Sequence, residues 1–482
     1  MKRKFITNLI LLVFLNLLIK PFWIFGIDRT VQNMVGDESY GLYFALFNFS
    51  MILNILLDIG ITNYNNCNIA KHNFLLPKHL SNIVGLKFLL ALVYAVFSLI
   101  TAFIIGYNRI QFHILFFLIL NQFMISLTLY LRSNISALHL FRTDSLLSVL
   151  DRTLMIIICS LLLFTNILKG NFNIKWFVYA QTMAYFMTVV ITFAIVLRKS
   201  GRIKLQFHKK FILVFLRKSY PYALLILLMS LYNRIDSVML ERMLPGATGR
   251  EQAGIYAQAF RLLDAVAMFG ALVGGLLLPI FARMIKQNEP VNQMVKLSFS
   301  LLIVPAIIIS AASVLYNSEI MTLLYKSNTA QSSDLLGILM TGFIGIASSY
   351  IFGTLLTANG SMKQLNIMAF CGVTLNITLN LILIPEYEAY GSACASMATQ
   401  LLTGASQFFI AVSVFKMKPG IKYISKIIVF IIIVVITGIL SKYAGNWLAG
   451  LIIFGAGSLL AALLLKLINI KNLFEIVLFK QN

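Results

Sequence analysis

The sequence has few charged residues for its length. Only 11% of its 482 residues are Asp, Glu, Lys or Arg, whereas 60% are hydrophobic. A soluble chain typically devotes about a quarter of its residues to charge. Acids are scarcer than bases, with 16 Asp and Glu against 39 Lys and Arg. The low charge excludes an ordinary soluble domain and predicts a chain that is surrounded by lipid.

The chain also has few of the residues and motifs that metal, redox and catalytic sites require. Its cysteines form no CxxC pair, and its five histidines lie in loops or at segment ends, so we expect no disulfide and no metal. There is no P-loop and no loop long enough for a catalytic domain. We therefore predict a transporter, neither an enzyme nor a cofactor protein. It would be driven by an ion gradient, such as one of protons or sodium, by the substrate gradient, or by a partner that supplies ATP. The cysteines are Cys67, Cys159, Cys371 and Cys394.

Apolar stretches of the length that crosses a bilayer, about 20 residues, recur along the whole chain. They predict an all-α integral membrane protein of about fourteen transmembrane helices. An apolar run follows the basic start at Met1, and we interpret it as an uncleaved first helix. The predicted cores are 6–27, 40–61, 83–106, 112–131, 145–168, 176–197, 220–244, 254–280, 296–316, 334–357, 366–385, 390–415, 425–443 and 447–468.

The net charge of +23 does not indicate a nucleic-acid partner, because the bases cluster in short loops between apolar segments. Most lie on one set of alternate loops, which places both termini in the cytoplasm by the positive-inside rule. We predict two pseudo-symmetric six-helix lobes, residues 1–197 and 220–415. A basic cytoplasmic linker, 198–219, joins them, and a final helix pair with its tail covers 416–482.

Charged residues inside apolar segments are costly, so they usually face a cavity or a partner. Arg261 and Asp264 are three residues apart and can pair on one helical face. Arg234 and Asp236 point about 200° apart, so at least one should meet another helix.

Lys87, Arg29 and Arg152 lie near predicted helix ends. For each of them we expect the side chain to reach the interface, with a place in the cavity as the alternative for Arg29 and Arg152. The remaining candidates are Lys20 and Asp58.

Three stretches carry a family resemblance. One runs from Pro221 through Asp236 and Gly254-Ile255-Tyr256 to Arg283, and a weaker copy, Asp28 followed by Gly41-Leu42-Tyr43 and Asp58-Ile59-Gly60, occurs near the start. The third is Asn380 to Pro385 followed by Tyr390-Gly391. In this order the motifs resemble the Wzx-type flippases of the multidrug/oligosaccharidyl-lipid/polysaccharide exporter superfamily.

The resemblance implies a flippase in the bacterial inner membrane that moves an undecaprenyl-diphosphate-linked oligosaccharide outward by alternating access. It implies a place in the assembly of O-antigen, lipopolysaccharide or capsule, beside a polysaccharide polymerase. Cations in the cavity would bind the diphosphate. Acids would couple transport to an ion or gate the cavity. A cation-coupled drug exporter and a membrane polymerase stay open as alternatives. The cavity cations are Lys20, Arg29, Arg152, Arg234 and Arg261, and the coupling or gating acids are Asp58, Asp236 and Asp264.

Overall fold

The computed structural model describes residues 14–62, 65, 69, 76–138, 140–165, 171–200, 209–417 and 420–467. These residues fold into helices, and no strand occurs among them. In chain order the helices are α1 (residues 14–22), a π-helical turn (Trp23–Asp28), α2 (Arg29–Ile52), a 3₁₀ turn (Asn54–Leu57), α3 (Leu76–Ile105), α4 (Arg109–Ala137), α5 (Phe141–Phe164), α6 (Ile174–Ser200), α7 (Lys209–Met243), α8 (Gly246–Lys286), α9 (Asn292–Leu315), α10 (Asn317–Leu324), α11 (Thr329–Ala358), α12 (Met362–Val414), α13 (Ile421–Ser441) and α14 (Trp447–Leu464).

The predicted membrane fold is confirmed. Within the described ranges, 11 helices are long and apolar enough to cross a membrane. Helix α12, at 53 residues, covers two of the predicted spans and bends between them at Glu388, whose φ is 50°. Residues 14–52 contain most of the first two predicted spans, and Gly36 breaks the helical path between them with φ 79°. Residues 6–13 of the first span lie outside the described residues, and the second span ends as a helix at Ile52. Each predicted core thus falls largely on a described helix.

The predicted start of the eighth span at residue 254 is too late, because α8 already begins at Gly246. Gly249 does not break the helix. A side chain at Gly249 would lie 2.8–3.0 Å from the carbonyl oxygens of Leu240, Glu241 and Leu244. The glycine is required because the chain turns tightly from α7 into α8, and the backbone at its position packs against the end of α7.

The first helix changes its winding directly after a proline. Helix α1 ends just past Pro21, and the π-helical turn then follows from Trp23 to Asp28. Proline lacks the backbone N–H that an inner helical position donates, so it disturbs the regular helix. Such π-helical turns are frequent at functional sites because they redirect side chains. Here the turn presents Trp23 and Asp28 to the interior, where both are buried.

The helices group into two compact units, Met1–Ala257 and Gln258–Asn482. A core of the first unit joins α3, α4 and α5 through Leu86, Tyr130 and Leu147. A core of the second unit packs the final pair, α13 and α14, against α9 through Ile303, Phe430 and other apolar residues. The lobe and linker boundaries drawn from the sequence stay predictions, and residues 201–208 of the basic linker lie outside the described residues.

Candidate functional site

Arg152, on α5, lies among aromatic rings. Its guanidinium carbon is 5.7 Å from the centroid of the Trp23 ring and 6.0 Å from that of Tyr185. Its Nε lies 3.6 Å from the carboxylate of the neighbouring Asp151, and 28% of the side chain is accessible. Rings attract a guanidinium through their faces, whereas anions bind to its N–H edge. The setting therefore suits a cation that holds an anionic ligand.

A second cation, Lys20 on α1, lies within electrostatic range of Arg152, Asp151 and Arg132. Arg132 donates a hydrogen bond of 2.8 Å to Asp144 and is thereby paired. We call Lys20, Arg132 and Arg152 the cation cluster. Two acids, Asp144 and Asp151, accompany these three cations. Like charges inside a membrane helix bundle are unfavourable unless an anion accompanies them.

Arg29, the first residue of α2, is half-buried. Its Nε atom is buried, and no hydrogen-bond acceptor lies beside it in the described part of the chain. A buried donor that lacks an acceptor costs about 1–3 kcal/mol. An oxygen atom of a bound ligand would remove that cost. Arg29 is therefore a second place in the first unit where an anion would be stabilised.

Arg234 and Asp236 both meet other helices, in agreement with their predicted angular separation. Arg234 donates to the side-chain oxygen of Asn48 on α2 at 3.4 Å, and Asn48 in turn donates to Ser237 at 2.8 Å. Asp236, which is 1% exposed, accepts a hydrogen bond of 3.0 Å from Tyr256 of α8. These contacts fix α7 against α2 and α8.

The repeated motif of the sequence reappears as a repeated contact. Asp28 accepts a hydrogen bond of 2.9 Å from Tyr40, just as Asp236 accepts one from Tyr256. In each case an acid near the end of one helix binds a tyrosine in the first turns of the next. The tyrosine hydroxyls satisfy part of the carboxylates' need for donors. The two acids therefore have a clear structural use.

Arg261 and Asp264 form the pair within one helix that their spacing predicts. Arg261 Nη1 lies 4.0 Å from Asp264 Oδ2, and the two side chains are 12% and 19% exposed. Both residues belong to the second unit, whereas the cation cluster belongs to the first. That they share one cavity therefore stays a prediction. The contact is long for a hydrogen bond. It balances charge within α8.

Lys87 does not reach the interface, contrary to expectation. It is fully buried and pairs with Asp58 at 2.5 Å. Sequence reasoning missed the partnership because the two residues are far apart along the chain. Asp58 follows the 3₁₀ turn, whereas Lys87 lies on α3. One signal, the position of Lys87 on its helix, could have indicated that the side chain is buried. Lys87 follows Ile83 and Val84 by about one turn, and both belong to the buried face of α3.

The two glycines of the repeat contact each other's helices, at what we call the glycine crossing. A side chain on Gly41 of α2 would overlap the backbone of Arg250, and one on Gly254 of α8 would overlap the backbone of Asp37. Gln32 donates a hydrogen bond of 2.9 Å to the carbonyl of Gly254. Small residues let membrane helices approach this closely. The crossing holds α2 directly against α8.

A polar cluster joins the ends of α4 and α7. Gln111 donates to Glu241 at 2.6 Å, and Arg242 donates to the same carboxylate at 2.5 and 2.6 Å. The Arg242 guanidinium also lies 4.6 Å from the centre of the Tyr107 ring. Burial raises the pKa of the Tyr107 phenol, and the Glu241 carboxylate raises this pKa further. Tyr107 therefore stays neutral at any physiological pH.

The second unit contains an apolar pocket of about 710 Å³ between α9, α11, α12 and α13. Phenylalanine and aliphatic side chains form most of its wall. At one edge the ammonium of Lys296 lies 5.0 Å from the centre of the Tyr423 ring. A pocket with one cation beside an apolar wall fits a ligand with a hydrocarbon part and an anionic end. Its wall includes Phe299, Ile303, Phe352, Ala405, Phe408 and Ile427.

Solved structures with this fold are membrane transporters. Lipid II flippase MurJ, in an inward closed conformation, aligns with a TM-score of 0.72 at 15% identity, over 98% of this chain and 100% of that one. A eukaryotic MATE transporter gives 0.62 at 15% identity, over 84% and 95%. A MOP superfamily transporter from Pyrococcus furiosus gives 0.61 at 13% identity, over 86% and 96%. The chain shares the fold of these three proteins.

The amino-acid sequence shows which protein family the chain belongs to. A family model described as "Polysaccharide biosynthesis protein" matches residues 7–285, which is more than half of the chain. The chain belongs to the polysaccharide biosynthesis protein family, and the family resemblance inferred from its motifs is confirmed. No curated protein sequence matches the chain.

Proposed function

We propose that the chain is a flippase that moves a lipid-linked oligosaccharide, carried on undecaprenyl diphosphate, from the inner to the outer leaflet of the bacterial plasma membrane. The product would serve the assembly of a surface polysaccharide such as O-antigen, lipopolysaccharide or capsule. The substrate would pass by alternating access through a cationic cavity. Membership of the polysaccharide biosynthesis protein family supports the polysaccharide part of this proposal.

The extent of the structural likeness favours a flippase over a drug exporter. The MurJ alignment covers 98% of this chain, whereas the MATE alignments cover 82–86%. A chain of fourteen helices has a final pair that a twelve-helix exporter lacks. That pair, α13 and α14, is packed into a core of the second unit, and α13 helps to line the apolar pocket.

The observation that carries the proposal is the cation cluster, in which three basic side chains of the first unit lie near one another. Lys20 and Arg152 lie together inside the helix bundle with Asp151. A diphosphate supplies the anion that such a group requires, and arginine binds phosphate oxygens in pairs. The aromatic rings of Trp23 and Tyr185, which hold Arg152 by its face, would offer stacking surfaces near the sugar. Arg29 would add a further donor.

The apolar pocket supports the lipid part of the substrate. Its volume of about 710 Å³ lies within the range of about 300–1,000 Å³ that is usual for ligand pockets. A segment of a polyprenyl chain would fit against its phenylalanine and aliphatic wall. Lys296 at the pocket edge would then lie near the polar end of the lipid. Under the predicted topology this edge is cytoplasmic, which is where a flippase must load its substrate.

The glycine crossing would be the closed outer gate. Under the predicted topology the start of α2 and the start of α8 both lie at the outer surface, and the predicted lobes assign the two helices to different halves. Arg250 bonds to Glu38 beside the crossing, with the shorter contact at 2.6 Å. Release of the substrate to the outer leaflet would require this contact to open. Asp236 and Asp264 remain predicted coupling or gating acids, with a proton or sodium gradient as the driving force, and Asp58 remains a predicted gating acid.

The experiment that tests the proposal is complementation of a bacterial strain that lacks its own polysaccharide flippase. Surface polysaccharide and accumulated lipid-linked precursor are both measured. We expect the wild-type chain to restore polymer and Arg152→Ala to fail at equal membrane levels. Arg109→Ala, which removes an exposed arginine at the start of α4, is the matched control and should restore polymer. Restoration by Arg152→Ala equal to wild type would overturn the role of the cation cluster.

A drug-resistance assay on the same strains separates the alternative. If the wild-type chain restores no polymer but raises resistance to cationic drugs, the chain is an exporter and the flippase proposal fails. Because other flippases differ in the sugar they accept, the strain set should include hosts with several surface polysaccharides. The same set of hosts shows whether polymer formation depends on the host's polysaccharide polymerase.

A further inference from the structure

Lys87, which is fully buried, pairs with Asp58, which is 29% exposed, where a membrane helix is broken. Helix α2 ends at Ile52, and a short 3₁₀ turn, Asn54–Leu57, leads to Asp58. Ile59 and Gly60 then have φ values of 44° and 83°, which no helix contains. A broken helix leaves carbonyl groups without their usual N–H partners. In a membrane these carbonyls must be satisfied by other groups or by ions.

The Lys87 ammonium is bound by three oxygen atoms from three different groups. It lies 2.5 Å from Asp58 Oδ1, 2.9 Å from the carbonyl oxygen of Leu57 and 2.9 Å from Ser126 Oγ on α4. The ammonium has three N–H donors, so these bonds satisfy it fully. The side chain itself is fully buried, although the neighbouring Phe88 and Leu89 on α3 are exposed.

The oxygen atoms are held in place without Lys87. Thr62 donates through its hydroxyl to Asp58 Oδ1 at 2.5 Å and through its backbone N–H to Oδ2 at 3.4 Å. Ser126 donates to the Leu57 carbonyl at 3.2 Å. Each oxygen therefore keeps a second fixed contact when the ammonium is removed. The arrangement is preformed, unlike a simple pair of flexible surface charges.

A carboxylate, a freed carbonyl and a hydroxyl at a helix break are the kind of ligands that hold small monovalent cations in transport proteins. We propose that the oxygens of Leu57, Asp58 and Ser126 form a monovalent-cation site that the chain fills with its own Lys87 ammonium. Lys87 is thus a tethered cation and a positioning residue that holds the break in α2. In the wild-type chain Asp58 then exchanges no ion with the solution, and any coupling ion must act elsewhere.

The proposal does not depend on the flippase function, because its test measures cation binding by the purified full-length protein. Thermal unfolding is followed in detergent with NaCl, KCl or choline chloride at equal ionic strength. The wild-type Tm should be the same in all three salts. Lys87→Met removes the ammonium and should gain a saturable rise in Tm of about 2–4 °C with Na⁺ or K⁺ over choline. The salt that gives the larger rise identifies the preferred ion.

Two further variants complete the test. Asp58→Asn with Lys87→Met removes both charges and should lose the cation response. Lys296→Met, which removes a lysine from another span, should never show the response. Absence of a cation response in Lys87→Met would overturn the proposal.

Lys87→Gln covers the case in which Lys87→Met does not fold, because the amide can still donate to Leu57 and Ser126. It should show the same cation response. A second result would also contradict the proposal. This is the case in which the double variant is recovered from membranes but both single Lys87 variants are lost. The abundant K⁺ of the cytosol would then have failed to enter the site.

Discussion

Gly41 and Gly254 each lie against the backbone of the helix that carries the other. A methyl group on Gly41 would overlap the Arg250 carbonyl, and one on Gly254 would overlap that of Asp37. Arg250 precedes Gly254 by four residues, and Asp37 precedes Gly41 by the same distance. The two contacts are therefore equivalent under exchange of the helices. The repeated sequence motif therefore forms two equivalent helix surfaces that pack against each other.

Replacement of either glycine by alanine should separate α2 from α8. The overlap in Gly41→Ala or Gly254→Ala involves backbone, which cannot move aside as a side chain does, so we expect a loss of stability of about 1–3 kcal/mol. Thermal unfolding of the purified protein measures this. Gly455→Ala on α14 is the matched control, because nothing lies within 4 Å of an added methyl group. Equal Tm values in all three variants would contradict the crossing.

A covalent bridge across the same contact should stop transport. In a background without native cysteines, Glu38→Cys and Arg250→Cys replace two side chains whose ends are 2.6 Å apart. A short bifunctional thiol reagent with a cleavable disulfide should link them and abolish flipping in cells, and a reducing agent should restore it. Each single cysteine with the same reagent is the control. Continued flipping in the bridged protein would show that the crossing does not need to open.

Much of the fold follows from sequence because lipid imposes one simple rule. Apolar stretches of bilayer length must be helical, and each predicted core falls largely on a described helix. The bends at Gly36 and Glu388 could not be placed in the same way, because backbone torsions at single residues depend on packing. The start of α8 was placed too late for a similar reason: Gly249 looks like a helix breaker, but it is needed for close packing.

The site was less predictable than the fold. Charges inside spans can be recognised one at a time, and Arg261 with Asp264 could be paired because both lie on one helical face. Lys87 and Asp58 could not be paired, since no periodicity relates residues on different segments of the chain. The same holds for Glu241 on α7, whose partner Gln111 lies on α4, three helices earlier in the chain. Long-range partners require the folded arrangement.

The Glu241 cluster should contribute measurably to stability. Glu241→Gln removes the charge that accepts bonds from Gln111 and Arg242, and it leaves Arg242 without its counter-ion. Hydrogen bonds to charged groups contribute about 1.5–3 kcal/mol, so we expect a clear fall in Tm. Glu289→Gln removes an exposed acid after α8 and should leave Tm unchanged. An equal, small effect of the two substitutions would mean that the cluster does not hold α4 to α7.

Filling the apolar pocket should impair transport without unfolding the protein. Ala405 lines the pocket, and Ala405→Trp would occupy the space proposed for the lipid chain. We expect surface polysaccharide to fall at least about tenfold, as for the loss of a contact of about 1.4 kcal/mol or more. Leu402→Trp, at an exposed position on the same helix, is the control. Normal polymer with Ala405→Trp at normal membrane levels would place the lipid chain elsewhere.

The most direct test of the central claim is a flipping assay in proteoliposomes that contain the purified protein and a fluorescent undecaprenyl-diphosphate-linked sugar. A membrane-impermeant quencher measures the fraction of sugar in each leaflet over time. We predict that wild-type protein moves the lipid between leaflets, that Arg152→Ala does so at least about tenfold more slowly, and that Arg152→Lys is intermediate because lysine keeps the charge without the paired donors. Equal rates for wild type and Arg152→Ala, or no movement above protein-free liposomes, would contradict the account.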